Sequence, residues 1–147
     1  MPVRRRERPF MRDFRKLIVW QKGHDLAVDA HRAVQARAGL GTAASRNQLM
    51  RAMASIPANI AEGCGKRSDA EFARYLDIAL GSVKEAENHL LMARDMGWLD
   101  ASAFAWLDSR LTELRRMLFS LSRVMRTRLE QSTHEEGGER GAGSIGQ

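Results

Sequence analysis

The sequence predicts an all-α protein, an up-down-up-down four-helix bundle, and three observations carry that prediction. Apolar residues recur at alternating steps of four and three through most of residues 16–130, the spacing that lays side chains along one face of an α-helix. No stretch alternates apolar and polar residues in the manner of a half-buried strand. Short breaks containing glycine separate the periodic stretches, so neighbouring helices run antiparallel and four apolar stripes meet in one core.

The first helix is expected over about Lys16 to Arg37, with Trp20, Ala27 and Val34 on its apolar face and Leu26, Ala30 and Ala33 on an adjacent stripe. A weak loop follows at 38–43. The second helix is expected over Ala44 to Gly63, where Leu49, Met53, Ile56 and Ile60 share a face. Pro57 stands inside it, a position that costs about 3 kcal/mol because the ring removes a donor and crowds the carbonyl four residues back. A bend is predicted there. Gly63 and Gly65 supply the stop, since glycine tolerates the left-handed conformation of a helix end.

The third helix opens at Ser68, with Glu71 three residues on to complete a capping box. Phe72, Leu76, Ala79, Val83, Ala86, Leu90 and Ala93 carry its stripe, and Met96-Gly97 ends it. Asp100 caps the fourth helix, whose seam is Phe104, Leu107, Leu111, Leu114, Leu118, Leu121 and Met125. Ile78, Met92, Trp106, Met117 and Phe119 fall outside these seams; self-association is favoured over the alternative that they are side walls of the bundle core.

A chain of 147 residues suits one domain: a basic flexible arm at 1–15, the bundle at 16–130, and a glycine-rich, disordered tail at 131–147. No apolar run is long enough to cross a bilayer, and the Arg-rich start lacks the apolar stretch of a secretory signal, although it shares its composition with a mitochondrial presequence. Cys64 is the one cysteine, which excludes an intrachain disulfide and fits a reducing cytoplasm. A net charge of +6 favours an acidic partner such as nucleic acid.

The residues singled out for chemistry divide by what surrounds them. Arg110, Arg115, Arg116, Arg123, Arg126 and Arg128 crowd the fourth helix, and between 110 and 128 only Glu113 opposes them. Guanidinium forks suit phosphates, and Arg4, Arg5 and Arg6 in the N-terminal arm extend the same chemistry. The competing reading is a solvated helix face. At Pro57 and Asn59 the expectation is a kink whose freed carbonyl is met by a side chain or water; the alternative is a polar notch lining a channel, in which Ser55, Asn59 and Glu62, at spacings of four and three, share a strip. His24 and His31 lie two turns apart, about 10.5 Å, too far to hold one metal ion, and are expected to be partly buried and hydrogen-bonded. Lys66 and Arg67 beside Cys64 are of the kind that lowers a thiol pKa, but the expectation for Cys64 is a small buried or half-exposed thiol rather than a catalytic one. Glu62 and Glu85 have no nucleophile or phosphate loop to work with. No catalytic residue, cofactor or metal is assigned.

Several of these residues together form a recognisable pattern. Val19-Trp20-Gln21-Lys22-Gly23-His24, the run Ser55-Ile56-Pro57-Ala58-Asn59-Ile60-Ala61-Glu62-Gly63, Lys66-Arg67-Ser68-Asp69, Phe72, Tyr75-Leu76, Ala79-Leu80-Gly81-Ser82, Glu85, Leu90-Leu91 and Ala93-Arg94-Asp95 follow in order. Over roughly residues 14–125 the chain resembles the bacterial four-helix-bundle family named for 23S rRNA intervening sequences. The resemblance implies a left-handed bundle that assembles as a homopentamer with a central channel. It also implies kinship with accessory proteins of diversity-generating retroelements, basic pentamers that bind nucleic acid and a reverse transcriptase. The sequence departs from the family pattern at Gly23, where alanine is typical, at Cys64, where an aromatic is common, and in the loop 38–43. The expectation is a non-enzymatic oligomer that contacts RNA or DNA phosphates; the alternative is a structural adaptor that binds another protein.

Overall fold

The computed structural model describes residues 13–36 and 42–141, with the backbone alone for 139–141. A 3-10 turn at Phe14–Lys16 leads into four helices: α1 (Ile18–Gln35), α2 (Ala43–Cys64), α3 (Asp69–Asp95) and α4 (Ala101–Gly141). No strand occurs among the described residues. α1 packs on α2 and α4, and α3 packs on the same two helices, which closes a four-membered ring around one core. Two ladders of ion pairs give the directions. Lys22 and Asp29 of α1 meet Glu113 and Arg110 of α4, while Asp77 and Glu87 of α3 meet Arg126 and Arg115. In each ladder one chain ascends as the other descends, so the helices are antiparallel.

The expected seams of the last three helices form the core. Leu49, Met53, Ile56 and Ile60 are buried, as is every member of the α3 stripe from Phe72 to Ala93. On α4, Leu107, Leu111, Leu114, Leu118 and Met125 are buried, with Phe104 and Leu121 partly so. α1 differs from expectation by part of a turn. Its deepest residues are Val19, Gly23, Leu26, Ala30 and Val34, and Trp20 and Ala27 are only half-buried. Gly23 itself lies on the buried face, beside Ile56, Pro57 and Leu114.

Side-chain caps start three helices. Thr42 accepts from the Ser45 amide at 3.2 Å, Ser68 from the Glu71 amide at 3.2 Å, and Asp100 from the Ala103 amide at 2.7 Å. Each satisfies an otherwise unpaired amide of the first turn. The capping box is half formed, because the Glu71 carboxylate meets the Ser68 hydroxyl at 3.5 Å. At the end of α3 the amides of Trp98 and Gly97 reach back to the carbonyls of Ala93 and Arg94 at 2.8 and 3.0 Å. Gly97 has φ 74° there, the left-handed residue that this terminus requires.

Three expectations change. The tail does not begin at 131: α4 runs to Gly141, with residues 130–138 exposed, since propagation of an existing helix needs one further backbone bond per residue and no tertiary partner. Residues 13–15 join the folded part, where Phe14 packs edge-on against Trp20 at 4.9 Å between centroids. Gly63 is not a left-handed stop, because Gly97 is the one glycine with positive φ among the described residues, and Gly65 caps α2 in the right-handed region. Gly63 serves packing instead: a Cβ at this position would lie 2.8 Å from Tyr75 Cβ and 3.1 Å from Phe72 Cδ2.

The two glycines therefore respond oppositely to alanine. A Cβ at Gly23 would meet Leu114, Ile56 and Pro57 at 3.6–3.8 Å, ordinary contact distance. Gly23→Ala gains about 1 kcal/mol in helix propensity and raises the melting temperature by about 4 °C. Gly63→Ala drives α2 and α3 apart and costs about 1–3 kcal/mol. Thermal and urea unfolding of both variants, followed by circular dichroism, checks the pair of signs.

Candidate nucleic-acid and assembly surfaces

The arginines of α4 do not form one surface. Arg110 Nη1 donates to Asp29 Oδ2 at 2.6 Å, and its guanidinium lies over the Trp106 ring, 5.0 Å from the centroid. Arg126 donates to Asp77 Oδ2, while the Ser122 hydroxyl donates to the other oxygen of that carboxylate at 3.1 Å. Arg115 Nε sits 3.6 Å from Glu87 Oε1, shielded from solvent and without a hydrogen bond of its own. These three arginines spend their charge inside the subunit, joining α4 to α1 on one flank and to α3 on the other. Arg116 and Arg123 remain exposed, seven residues apart and hence on one face. Arg128 is also exposed and has an interaction of its own. Arg4, Arg5 and Arg6 lie outside the described residues.

The carboxylate partners were not singled out from the sequence. The signal available was matched spacing: Asp77 and Glu87 are about three turns apart, as are Arg115 and Arg126, on helices that run in opposite directions. Matched spacing specifies a pairing only once the register between two helices is known.

The alternative reading, a shared polar strip on α2, does not form. Ser55 Oγ donates to the Ala52 carbonyl and Asn59 Nδ2 to the Ser55 carbonyl, both at 2.8 Å, so these two side chains bond along their own helix on either side of Pro57. Pro57 itself is buried within a continuous helix. Glu62 leaves the strip and accepts from Tyr75 Oη on α3 at 3.1 Å. The cations of Lys66 and Arg74 lie 5.1 and 5.4 Å from the centre of the Tyr75 ring. Gly63 lies against the Tyr75 Cβ, so Glu62, Gly63 and Lys66 all meet Tyr75 across the α2–α3 turn.

His24 and His31 are exposed rather than partly buried, a consequence of the rotation of α1 described above. His24 stacks on Trp20 with 4.9 Å between ring centres. Among the described residues no three His, Cys, Asp or Glu side chains converge as metal ligands. Cys64 is buried, and burial pushes its thiol from 9.0 up to about 11, with the Asp13 carboxylate adding to the effect. Cys64 is thus the small buried thiol that the sequence favours over a reactive one; Lys66 is turned to Tyr75 and Arg67 is exposed. Glu85 lies 3.7 Å from His89 Nε2, one turn along its own helix.

The apolar exterior is the more extensive feature. Ile18, Ile78, Leu91, Met92, Met96, Trp106, Phe119 and Val124 keep between 39% and 61% of their surface exposed, although the core beneath them is complete. Met117 is half-buried against that core. No described helix is long and apolar enough to cross a membrane.

The fold and its motif residues define a small four-helix protein with a motif-bearing α2–α3 hairpin. The chain belongs to the 23S rRNA-intervening sequence protein family, whose model matches residues 15–120. No curated protein matches it. Its fold is similar to the crystal structure of a protein of unknown function from the S23 ribosomal protein family of Bacteroides thetaiotaomicron. The TM-score is 0.67 at 24% identity, over 71% of this chain and 98% of that one.

Cys64 provides a check on the α2–α3 turn. A thiol held at about 11 rather than 9.0 has roughly 100-fold less thiolate at pH 8, so alkylation by iodoacetamide is slowed at least 100-fold in the folded chain and recovers in urea. The folded value lies above the unfolded one, so the stabilisation is complete below pH 9 and declines as pH rises from 9 towards 11.

Proposed function

We propose that this protein is a non-catalytic, self-associating helical scaffold that contacts RNA or DNA phosphates through Arg116 and Arg123, with Arg4, Arg5 and Arg6 of the N-terminal arm alongside. The observation that carries the assembly is the row of large apolar side chains left outside a finished core; their removal from water favours association at about 25 cal/mol per Å². The family resemblance gives the stoichiometry of the proposal, a homopentamer. The nucleic-acid contact is supported by the exposed pair on α4 and the net charge of +6. Repeating two arginines around a ring multiplies a weak subunit attraction. A cytoplasmic setting accords with a single, reduced cysteine.

A second reading has an observation of its own. Arg110, Arg115 and Arg126 already face carboxylates, which leaves less positive field than the sequence suggests. On that reading the oligomer is an adaptor whose apolar surface binds another protein, such as a reverse transcriptase, without touching nucleic acid.

Two measurements separate the readings. Light scattering is expected to give roughly 82 kDa, five times the 16.5 kDa chain, and Trp106→Glu with Phe119→Glu lowers that mass; a wild-type monomer at high micromolar concentration overturns the scaffold. Filter binding to single- and double-stranded RNA and DNA is expected to weaken steeply with salt. Arg116→Ala with Arg123→Ala reduces the salt slope by about two per bound subunit, whereas Arg126→Ala destabilises the fold and leaves binding within about twofold. Absence of binding to every nucleic acid at low salt favours the adaptor.

A further inference from the structure

We propose that the outward face of α3, centred on Gly81, is the docking surface for a second copy of this chain, which seats its α1–α4 flank, with Trp106, against that face. The proposal rests on the self-association argued above and names the two faces that meet.

Gly81 stands in the middle of α3, a helix of 27 residues, where glycine is less favourable than any residue but proline. Gly23 and Gly63 are buried among the side chains of neighbouring helices. Gly81 has no such surroundings: it is exposed, and a Cβ there would meet no atom within 4 Å. Its φ is not positive either, since Gly97 is the one glycine of that kind among the described residues. Nothing inside the subunit calls for glycine at this position. A helix position without a side chain lets a second helix come close, and the helix that comes close here belongs to another molecule.

The residues around Gly81 fit that contact. Ile78, Gly81, Glu85, Asn88, Met92 and Met96 follow at steps of three and four, a stripe on the side of α3 opposite its buried seam. Ile78, Met92 and Met96 keep 39%, 51% and 60% of their surface exposed. The matching surface lies elsewhere on the chain. Trp106, Arg110, Glu113, Met117 and Val124 share one line on α4, and the ion pairs of Arg110 with Asp29 and of Glu113 with Lys22 run that line along α1. Ile18, one turn before Lys22, adjoins it.

The exposed side chains of each face leave on the order of 300 Å² of apolar surface in water. Joined, the faces remove about 600 Å², the apolar half of an interface of about 1,200 Å², the lower bound for a stable complex. A polar partner on either face removes half as much. The two faces differ and lie on different flanks, so the contact is heterologous: every copy offers one of each, and successive contacts build a ring when their rotation closes.

Two variants and their mixture test the pairing by light scattering. Gly81→Gln with Met92→Glu disables the α3 face, and Trp106→Glu with Val124→Glu disables the α1–α4 flank. Each is expected to be a monomer of 16.5 kDa, with circular dichroism as the control for folding. Mixed one to one, each variant still holds the face that the other lost, so the mixture gives a complex of about 33 kDa, twice the chain mass, and nothing larger. Gly81→Gln added to the flank variant raises its melting temperature by about 3 °C, because helix propensity improves where no neighbour is crowded. A lowered melting temperature gives Gly81 a role inside the subunit and overturns the proposal. Either variant assembling like the wild type also overturns it and leaves the scaffold reading standing. Two monomeric variants that do not combine overturn the pairing of these faces, and a wild-type monomer overturns the scaffold reading together with this inference.

Discussion

The close approach of α2 and α3 at Gly63 governs the arrangement of the other elements. A hydrogen atom in place of a side chain lets the Tyr75 and Phe72 side chains lie against the α2 backbone, with 2.8 Å to the position a Cβ would occupy. Phe72 can then be buried at the base of the core, and the Tyr75 hydroxyl is placed to donate to Glu62. Only four residues separate the two helices, and Ser68 caps the second of them. The register set at this turn propagates along both helices, because buried side chains interdigitate and cannot slip by one residue without moving the whole stripe. At the far end the same register leaves a cavity between Leu49 and Ala93.

Charge is used in this molecule first to hold helices together. Asp29, Asp77 and Glu87 draw Arg110, Arg126 and Arg115 onto the flanks of α4. Pairs as exposed as these contribute a few tenths of a kcal/mol to about 1 kcal/mol each, small beside the core, yet they bias which flank of α4 faces α1 and which faces α3. Arg116 and Arg123 are left exposed on α4. The apolar side chains outside the core interrupt the same surfaces, with Trp106 lying under Arg110. In the function proposed above, association between subunits and contact with a polyanion would draw on neighbouring parts of α4.

The helices, their caps at Ser68 and Asp100 and the buried stripes of α2, α3 and α4 were legible in the sequence, because each depends on residues within a few turns of one another. The Ser55–Gly63 run was legible as a family mark as well. Its chemistry was not, since Glu62 turns to Tyr75, thirteen residues away, and Gly63 answers to a side chain on another helix. The shift of the α1 face from Trp20 and Ala27 to Gly23 and Leu26 has the same origin: a glycine reads as a weak helix former until the helix it touches is in place. Exposure of His24 and His31 and the raised thiol of Cys64 follow from packing that no local pattern encodes.

The sequence by itself determined that the chain is helical, where its helices begin, which faces of the last three are apolar and to which family it belongs. Those properties rest on periodicity, capping chemistry and short motifs, all local in the chain. Only the tertiary structure decided which arginines are consumed by carboxylates, why Gly63 must be glycine, and where a cavity remains. Each of these is a relation between residues brought together by the register of antiparallel helices, and that register is fixed by side chains meeting across the core.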